Sequence, residues 1–323
     1  MNSGPLHGNR NLTGIGYILL GVAFLAVMDS VAKVLVGANY SVMQILAVRG
    51  WMIVLAMTLT LPKMGGLAAL RTRQPFKHAF RFLVGFAAPY FFFSSLKELG
   101  LADATVIFFG GGTFLMTALS ALLLKEKVGP HRWAAVVVGF IGVLIAAQPS
   151  DGIFKVEALY AIASGASYAV MVLVTRWLGP AEGAFKPVFY FNLGVACIAS
   201  LAMPVVFKEM PTGDITIMVM MAALAVAGHF CITNAFLAAP VSLLAPFEFS
   251  ALIWAAILGY FIWSDIPALH VLVGAGIIVS SGGYVIHREA LARRTNKKEQ
   301  AGIVVADPMI ITIPAAVDEA ADV

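Results

Sequence analysis

Few residues in this chain could do chemistry, and the telling ones are ionisable side chains set inside long apolar runs. Asp29 and Lys33 lie four residues apart, so they share one helix face, and Arg49 stands in the next apolar run. Counted at 1.5 Å per residue, Asp29 and Arg49 fall at similar depth, roughly 10 Å from the same end of adjacent helices. Two readings are open: a structural ion pair, Asp29 with Arg49 or with Lys33, or a site that grips a solute or a proton. His229 and Glu248 form a second set, again at similar depth on consecutive runs. A carboxylate near an imidazole can hold a proton or a polar solute group; alternatively each satisfies a polar neighbour such as Thr233 or Asn234. Pro246, two residues before Glu248, frees a backbone carbonyl that can line a cavity. Enzyme constellations are missing. There is no phosphate loop, no His-Glu-x-x-His, no Gly-x-Ser-x-Gly elbow and no metal-spaced Cys/His cluster, so no catalytic residue, metal or cofactor is expected.

The elements that must carry these residues are membrane spans. Of 323 residues, 60% are hydrophobic and 12% charged, too few charges to cover a water-soluble protein of this length, so the bilayer is the solvent. Ten apolar stretches are long enough to cross it: Thr13–Val36, Ser41–Leu61, His78–Leu96, Ala102–Leu124 and Arg132–Ala147, then Val156–Leu178, Pro187–Phe207, Ile215–Ala238, Pro240–Trp263 and Leu269–His287. Gly, Pro and charged residues punctuate them, as at Lys125–Pro130, Gln148–Gly152 and Ser264–Pro267. A charge within a span costs about 2.5–3.5 kcal/mol on insertion scales, so each of Asp29, Arg49 and Glu248 calls for a reason. Lys33 is close enough to an interface to snorkel.

Positive residues orient the chain. With both termini in the cytoplasm, the inner flanks receive Arg10, Lys63, Arg71, Arg73, Lys77, Arg81, Lys125, Lys127, Arg132, Arg176, Lys186 and the cluster from Arg288 to Lys298. The outer side keeps only Lys33, Lys97, Lys155 and Lys208. The net charge of +4 therefore belongs to inner-leaflet flanks, and no nucleic-acid partner is expected. The first stretch reads as a full span rather than a cleaved leader. Cys197 and Cys231 both fall inside spans, where a structural disulfide is not expected.

The halves echo each other. Ala26–Lys33 in the first span aligns with Ala169–Arg176 in the sixth, and Leu123–Glu126 after the fourth with Trp263–Asp265 after the ninth, at nearly the same offset. Five spans per copy is an odd number, so the second copy must enter from the opposite face. The expected fold class is an all-α integral membrane protein with ten transmembrane helices as two inverted five-helix repeats, an architecture of secondary carriers. The expected domains are a cytoplasmic N-terminus over 1–12, repeats over 13–148 and 149–287, and a flexible cytoplasmic tail over 288–323.

On Leu122–Trp133, Gly139–Ile145, Ala245–Trp254 and the Asp265 turn, the chain resembles the drug/metabolite transporter superfamily, in its EamA-type branch. Gly110–Thr113 departs from that pattern; these glycines suit either close helix packing or room for a ligand. The resemblance implies an inner-membrane carrier of a small organic metabolite working by alternating access, with a proton as candidate coupling ion. It also implies a central cavity among spans three, four, eight and nine. There Tyr90, Phe247 and Trp254 are expected to stack on a flat ligand, with His229, Glu248, Asp29 and Arg49 as polar partners. Aromatic lining with few charges favours a planar vitamin, riboflavin being the specific expectation. A zwitterionic solute, in S-adenosylmethionine uptake or amino-acid efflux, would use Asp29, Arg49 and Glu248 as counter-charges. From another class, an intramembrane enzyme or a receptor would alter the solute or leave it in place.

Overall fold

The computed structural model describes residues 5–124, 129–147, 156–284 and 287–288. The turns expected at Lys125–Val128 and around Pro149, and the tail beyond Arg288, lie outside the described residues. The chain forms α1 (Pro5–Gly37), α2 (Val42–Thr60), α3 (Pro75–Ser95), α4 (Leu101–Leu123), α5 (Pro130–Ala147), α6 (Val156–Leu178) and α7 (Phe185–Ser200). The single turn α8 (Met203–Val206) precedes α9 (Thr212–Ala238), α10 (Val241–Glu248) and α11 (Ser250–Trp263), and α12 covers Leu269–Tyr284. Helix is the form that satisfies every backbone polar group within its own segment, which a bilayer demands. Among the described residues, five helical stretches are long and apolar enough to cross a membrane: Asn11–Gly37, Val42–Met64, Val156–Leu178, Thr212–Ala238 and Leu243–Trp263. Their outward faces stay apolar; Leu59 is 71% and Phe261 78% exposed. Such a surface belongs against lipid.

Three boundaries differ from expectation, the last two for a local reason. Along the first stretch, helix already runs through the described residues ahead of Thr13, where the span was expected to begin. The stretch expected as one span over Pro187–Phe207 ends its helix at Ser200, because Pro204 has no N–H to give the Ser200 carbonyl. The stretch expected over Pro240–Trp263 breaks after Glu248 into α10 and α11. Pro246 cannot donate to the carbonyl of Ser242, and the chain restarts one turn later with Leu252 N–H donating to Phe249 O at 3.1 Å. That break leaves Glu248 at a helix end deep in the protein.

Packing joins the two halves throughout. α1 lies along α9 and crosses α10 and α11, α6 lies between α3 and α4, and α2 packs on α7 and α9. Where α4 crosses α6, a Cβ at Gly112 would stand 2.9 Å from the Gly165 carbonyl oxygen, so at this position the glycine run serves close packing. α5 and α12 meet in the same way: a Cβ at Gly142 would be 2.8 Å from the Gly274 carbonyl oxygen, and Ser281 Oγ donates to Ala135 O at 2.9 Å. Serines on α6 stitch it to α3 around Pro89, Ser164 Oγ donating to Ala88 O at 2.5 Å and Ser167 Oγ to Val84 O.

Polar groups tie the helix ends. At one end Lys33 Nζ pairs with Asp265 Oδ2 at 3.1 Å and lies over the Trp263 ring. Gln44 exchanges two hydrogen bonds with the backbone of Lys208, and the Tyr40 hydroxyl donates to Asp214. That bond, with burial and the Asp214 charge, raises the Tyr40 pKa above its usual range. At the other end His78 meets Glu182 at 3.4 Å, Lys77 Nζ donates to Trp177 O at 3.1 Å, and Arg176 donates to the carbonyls of Phe236 and Leu237. The Asp29–Lys33 pairing is thereby corrected: a lysine amine reaches furthest toward its own interface, and Asp265 is waiting there.

Candidate functional site

Between these tied ends, α1, α2, α3, α4, α6, α7, α9 and α11 surround a cavity of about 1020 Å³, counting the space at its mouth. Its wall is chiefly apolar and aromatic. Phe92 meets Phe108 edge-on at 5.2 Å, Phe108 meets Phe109 at 4.6 Å, and Tyr168 lies 5.4 Å from Phe108, so rings from α3, α4 and α6 form one continuous surface. Pro89, inside α3, lines the cavity and has no N–H to give the Gly85 carbonyl. Set into this wall are Asp29, Arg49, Arg81 and His229.

Arg49, from α2, is 1% exposed. Its guanidinium stands over the Phe93 ring at 5.6 Å, and Nη1 reaches Met28 Sδ at 3.3 Å. Nε and Nη2 have no hydrogen-bond partner. The neighbouring Gly50 lets α2 press onto Ala196 of α7, which holds Arg49 in place. Asp29, from α1, lines the same cavity, but the ion pair that was one of the two readings is not formed: no Asp29 oxygen comes within 4.0 Å of an Arg49 nitrogen. Helices at matched depth can still be rotated so that their charges face a shared space instead of each other.

Arg81 was expected among the cytoplasmic flanks and is instead buried in the wall. Its Nε donates to Thr175 Oγ1 and its Nη1 to Pro187 O, each at 2.7 Å, and it lies over the Phe191 ring at 5.2 Å. The guanidinium thus ties α3 to α6 and α7. Its signal in the sequence was its place six residues after the helix-opening Pro75.

Glu248 is fully buried and sits behind the wall rather than in it. Tyr168, which lines the cavity, donates its hydroxyl to Glu248 Oε1 at 2.6 Å, while Oε2 has no partner. His229 does not meet Glu248. Its Nδ1 lies 3.4 Å from Asn192 Nδ2, and its ring stands edge-on to Phe191 at 5.4 Å. Asn192 Nδ2 also donates to Val188 O, so Nδ1 accepts and the ring proton belongs on Nε2. The neighbours named from the sequence serve differently: Asn234 donates to Phe230 O within its own helix, and Thr233 lines the cavity.

The three aromatics expected to stack on a ligand lie apart from the lining of this cavity. Tyr90 packs beside Phe86 and Phe91, off the cavity face that carries Ala88, Pro89, Phe92 and Phe93. Phe247 is half-buried in the core without reaching the cavity. Trp254 is 39% exposed on the outside of α11, whose cavity face presents Ala251 and Ala255 instead. Tyr168 carried no signal in the sequence. A tyrosine in mid-span looks like any other aromatic until its partner across the protein is known.

A sequence profile of the EamA-like transporter family matches residues 12–148. Over the longer chain, a riboflavin transporter of Rhizobium johnstonii is 30% identical across 76% of this protein and 82% of that one. The chain belongs to the EamA-like transporter family. An S-adenosylmethionine uptake transporter of Rickettsia felis is 26% identical across 90% of this chain and 97% of its own. A solved crystal structure superposes with a TM-score of 0.64 at 19% identity, covering 89% of this chain and 99% of that one, which establishes the same fold. This EamA-like protein is therefore an all-helical, multi-pass membrane transporter for small molecules rather than an enzyme. Among the described residues, no group of His, Cys, Asp and Glu is arranged to hold a metal ion, and both cysteines are free thiols.

Proposed function

We propose that this protein is an inner-membrane carrier that moves a small organic metabolite with a flat ring by alternating access. The observation that carries the reading is the cavity itself: a largely apolar space walled by Phe92, Phe108, Phe109 and Tyr168, with few charges in its lining. The chain crosses the membrane ten times as two inverted repeats, 13–148 and 149–287, with both termini in the cytoplasm. Paired packings support this plan. α1 on α9 has its counterpart in α6 on α3, and α3 on α7 in α9 on α2, as a two-fold axis in the membrane plane requires. The positive flanks support the orientation, and the tail from 288 onward is cytoplasmic.

Asp29, Arg49 and His229 touch the solute, with Tyr168 and Arg81 added from the cavity wall. A proton is the coupling ion, held at Glu248. The support is a buried carboxyl with a single hydrogen bond, made to a residue that faces the cavity, through which an occupying solute would be felt. Glu248→Gln should then leave folding intact and abolish transport.

The direct test is flux into proteoliposomes. Radiolabelled riboflavin and S-adenosylmethionine are offered with and without a proton gradient. The expected result is saturable uptake of one of them as the intact compound, driven by the gradient. Uptake no faster than in protein-free vesicles for both, or recovery of an altered compound, would overturn the reading. A flavin suits the aromatic wall and the relative from Rhizobium johnstonii; S-adenosylmethionine suits the cavity charges and the relative from Rickettsia felis.

A further inference from the structure

Three helices that wall the cavity converge on one small group of charges at its outer end, on the orientation proposed above. α1 lines the cavity from Val22 to Asp29, and Lys33 follows one turn beyond Asp29. α4 lines it from its first residue, Leu101, with Asp103 in the same turn. α11 lines it with Ala251 and Ala255, and Asp265 follows the end of that helix. Lys33 Nζ joins these elements by reaching Asp265 Oδ2 at 3.1 Å, 4.7 Å over the Trp263 ring. A second carboxyl stands by. A Cβ at Gly100 would lie 3.4 Å from Asp103 Oδ2 and 4.0 Å from Asp265 Oδ2, and Asp103 feels the charges of Lys33, Asp265 and His270. One ammonium thus sits among two carboxyls held by different elements and is bonded to one of them. Asp265 is 48% exposed, and an exposed ion pair adds little net stability. Such a contact suits a joint that opens better than one that holds the fold. The other half has a counterpart: Lys33 aligns with Arg176 in the internal echo, and Arg176 donates to the Phe236 and Leu237 carbonyls at the opposite end. Equivalent positions of the two halves each carry a cation that ties one end.

We propose that Lys33 and Asp265 form the outer gate of the cavity, with Asp103 as the partner that takes Lys33 when the gate opens. Paired, Lys33 and Asp265 hold α1 against the end of α11 and keep the outer mouth shut. As the mouth opens, Lys33 passes to Asp103 on α4, so the amine is not stranded in either state. The inference rests on the carrier reading above and adds to it the residues that control one of its two mouths.

Labelling of a cavity cysteine tests it. Thr105, on the α4 wall, is replaced by Cys in the full chain with Cys197 and Cys231 changed to Ala, and right-side-out membrane vesicles are treated with a membrane-impermeant maleimide. Asp265→Asn should speed labelling about 2- to 5-fold, the worth of an exposed ion pair. Lys33→Ala also removes the contact with Trp263 and should speed it further; Lys33→Gln stands in if Lys33→Ala does not fold. Asp103→Asn should slow labelling, because only the open form loses a partner. The two carboxyls therefore act in opposite directions, which a shared structural role does not produce. Exchanging the charges, Lys33→Asp with Asp265→Lys, should bring labelling back toward the unaltered rate. Unchanged labelling in both Lys33→Ala and Asp265→Asn, or faster labelling in Asp103→Asn, would overturn the gate. Flux of riboflavin and S-adenosylmethionine into proteoliposomes is measured alongside. Flux of either with labelling unchanged rejects the gate and leaves the carrier reading standing, whereas flux of neither, whatever the labelling, counts against the carrier reading itself.

Discussion

Tyr168→Phe is the sharpest perturbation this structure offers, because it removes a single oxygen atom from a sealed polar contact. The Tyr168 ring would stay where it is, packed 5.4 Å from Phe108 and 6.5 Å from Phe109. The hydroxyl supplies the hydrogen bond to Glu248, whose other oxygen has no partner and whose side chain is fully buried. Without it the carboxyl is left with nothing, and an unsatisfied buried polar group costs about 1–3 kcal/mol. Glu248→Leu strands the hydroxyl instead and should cost a similar amount. If the two effects were independent, the double variant would lose about 2–6 kcal/mol. The contact is shared, so the second substitution should remove little that the first has not already lost. The coupling between the two sites should therefore fall at about 0.5–3 kcal/mol. Denaturation of the four proteins in mixed detergent micelles by increasing dodecyl sulfate, followed by circular dichroism, measures it. Losses that add to within about 0.5 kcal/mol would refute the argument that the two groups form one buried unit.

Gly112→Ala should cost about 1–3 kcal/mol by overpacking, because the added Cβ meets the backbone of Gly165, which cannot swing aside. Gly16→Ala meets nothing within 4 Å and should be near neutral; equal melting temperatures for the two variants would contradict the close α4–α6 crossing. Glu182, in the connection between α6 and α7, is pushed up by burial, but hydrogen bonds from His78 and Thr72 and the charge of Lys186 outweigh this and hold its pKa below the usual 4.5. A carboxyl with a lower pKa folded than unfolded stabilises the protein above the unfolded value, and the contribution is lost as pH falls through the folded one. Melting temperature should thus drop below pH 4.5, and Glu182→Gln should flatten that drop; an unchanged acid limb would reject the contact. In a cysteine-free background, Gly65→Cys should react with a membrane-impermeant maleimide only from the cytoplasmic side and Glu209→Cys only from outside. The reverse pattern would overturn the proposed orientation.

Where the helices lie was largely legible in the sequence, because the bilayer imposes a local rule. About twenty apolar residues in a row must be helical to satisfy their own backbone, and no distant contact is needed to say so. The end of α6 at Leu178 falls where the sequence reading ends the sixth stretch. The misjudged end of the seventh stretch and the break inside the ninth come where a proline interrupts a run whose hydropathy continues unbroken. The cost of a charge in lipid likewise singled out Asp29, Arg49, His229 and Glu248, and the first three do line the cavity.

Which way each helix faces is another matter. In a water-soluble helix a polar stripe marks the outside, whereas a helix apolar all round carries no such phase. Trp254 and Ala255 are equally compatible with lipid and cavity in the sequence, and only the packing of α11 turns Ala255 inward and Trp254 out. Lys33 pairing with Asp265 rather than Asp29, Tyr168 capping Glu248, and the gap between Asp29 and Arg49 are all set by rotations of whole helices. Those rotations are decided by contacts such as Gly112 on Gly165 and Gly50 on Ala196, between residues far apart in the chain. The amino-acid sequence by itself determined a membrane-spanning helical protein with a small set of costly charges. Only the tertiary structure, through close packing at small residues, decided that two of those charges line one cavity without forming an ion pair.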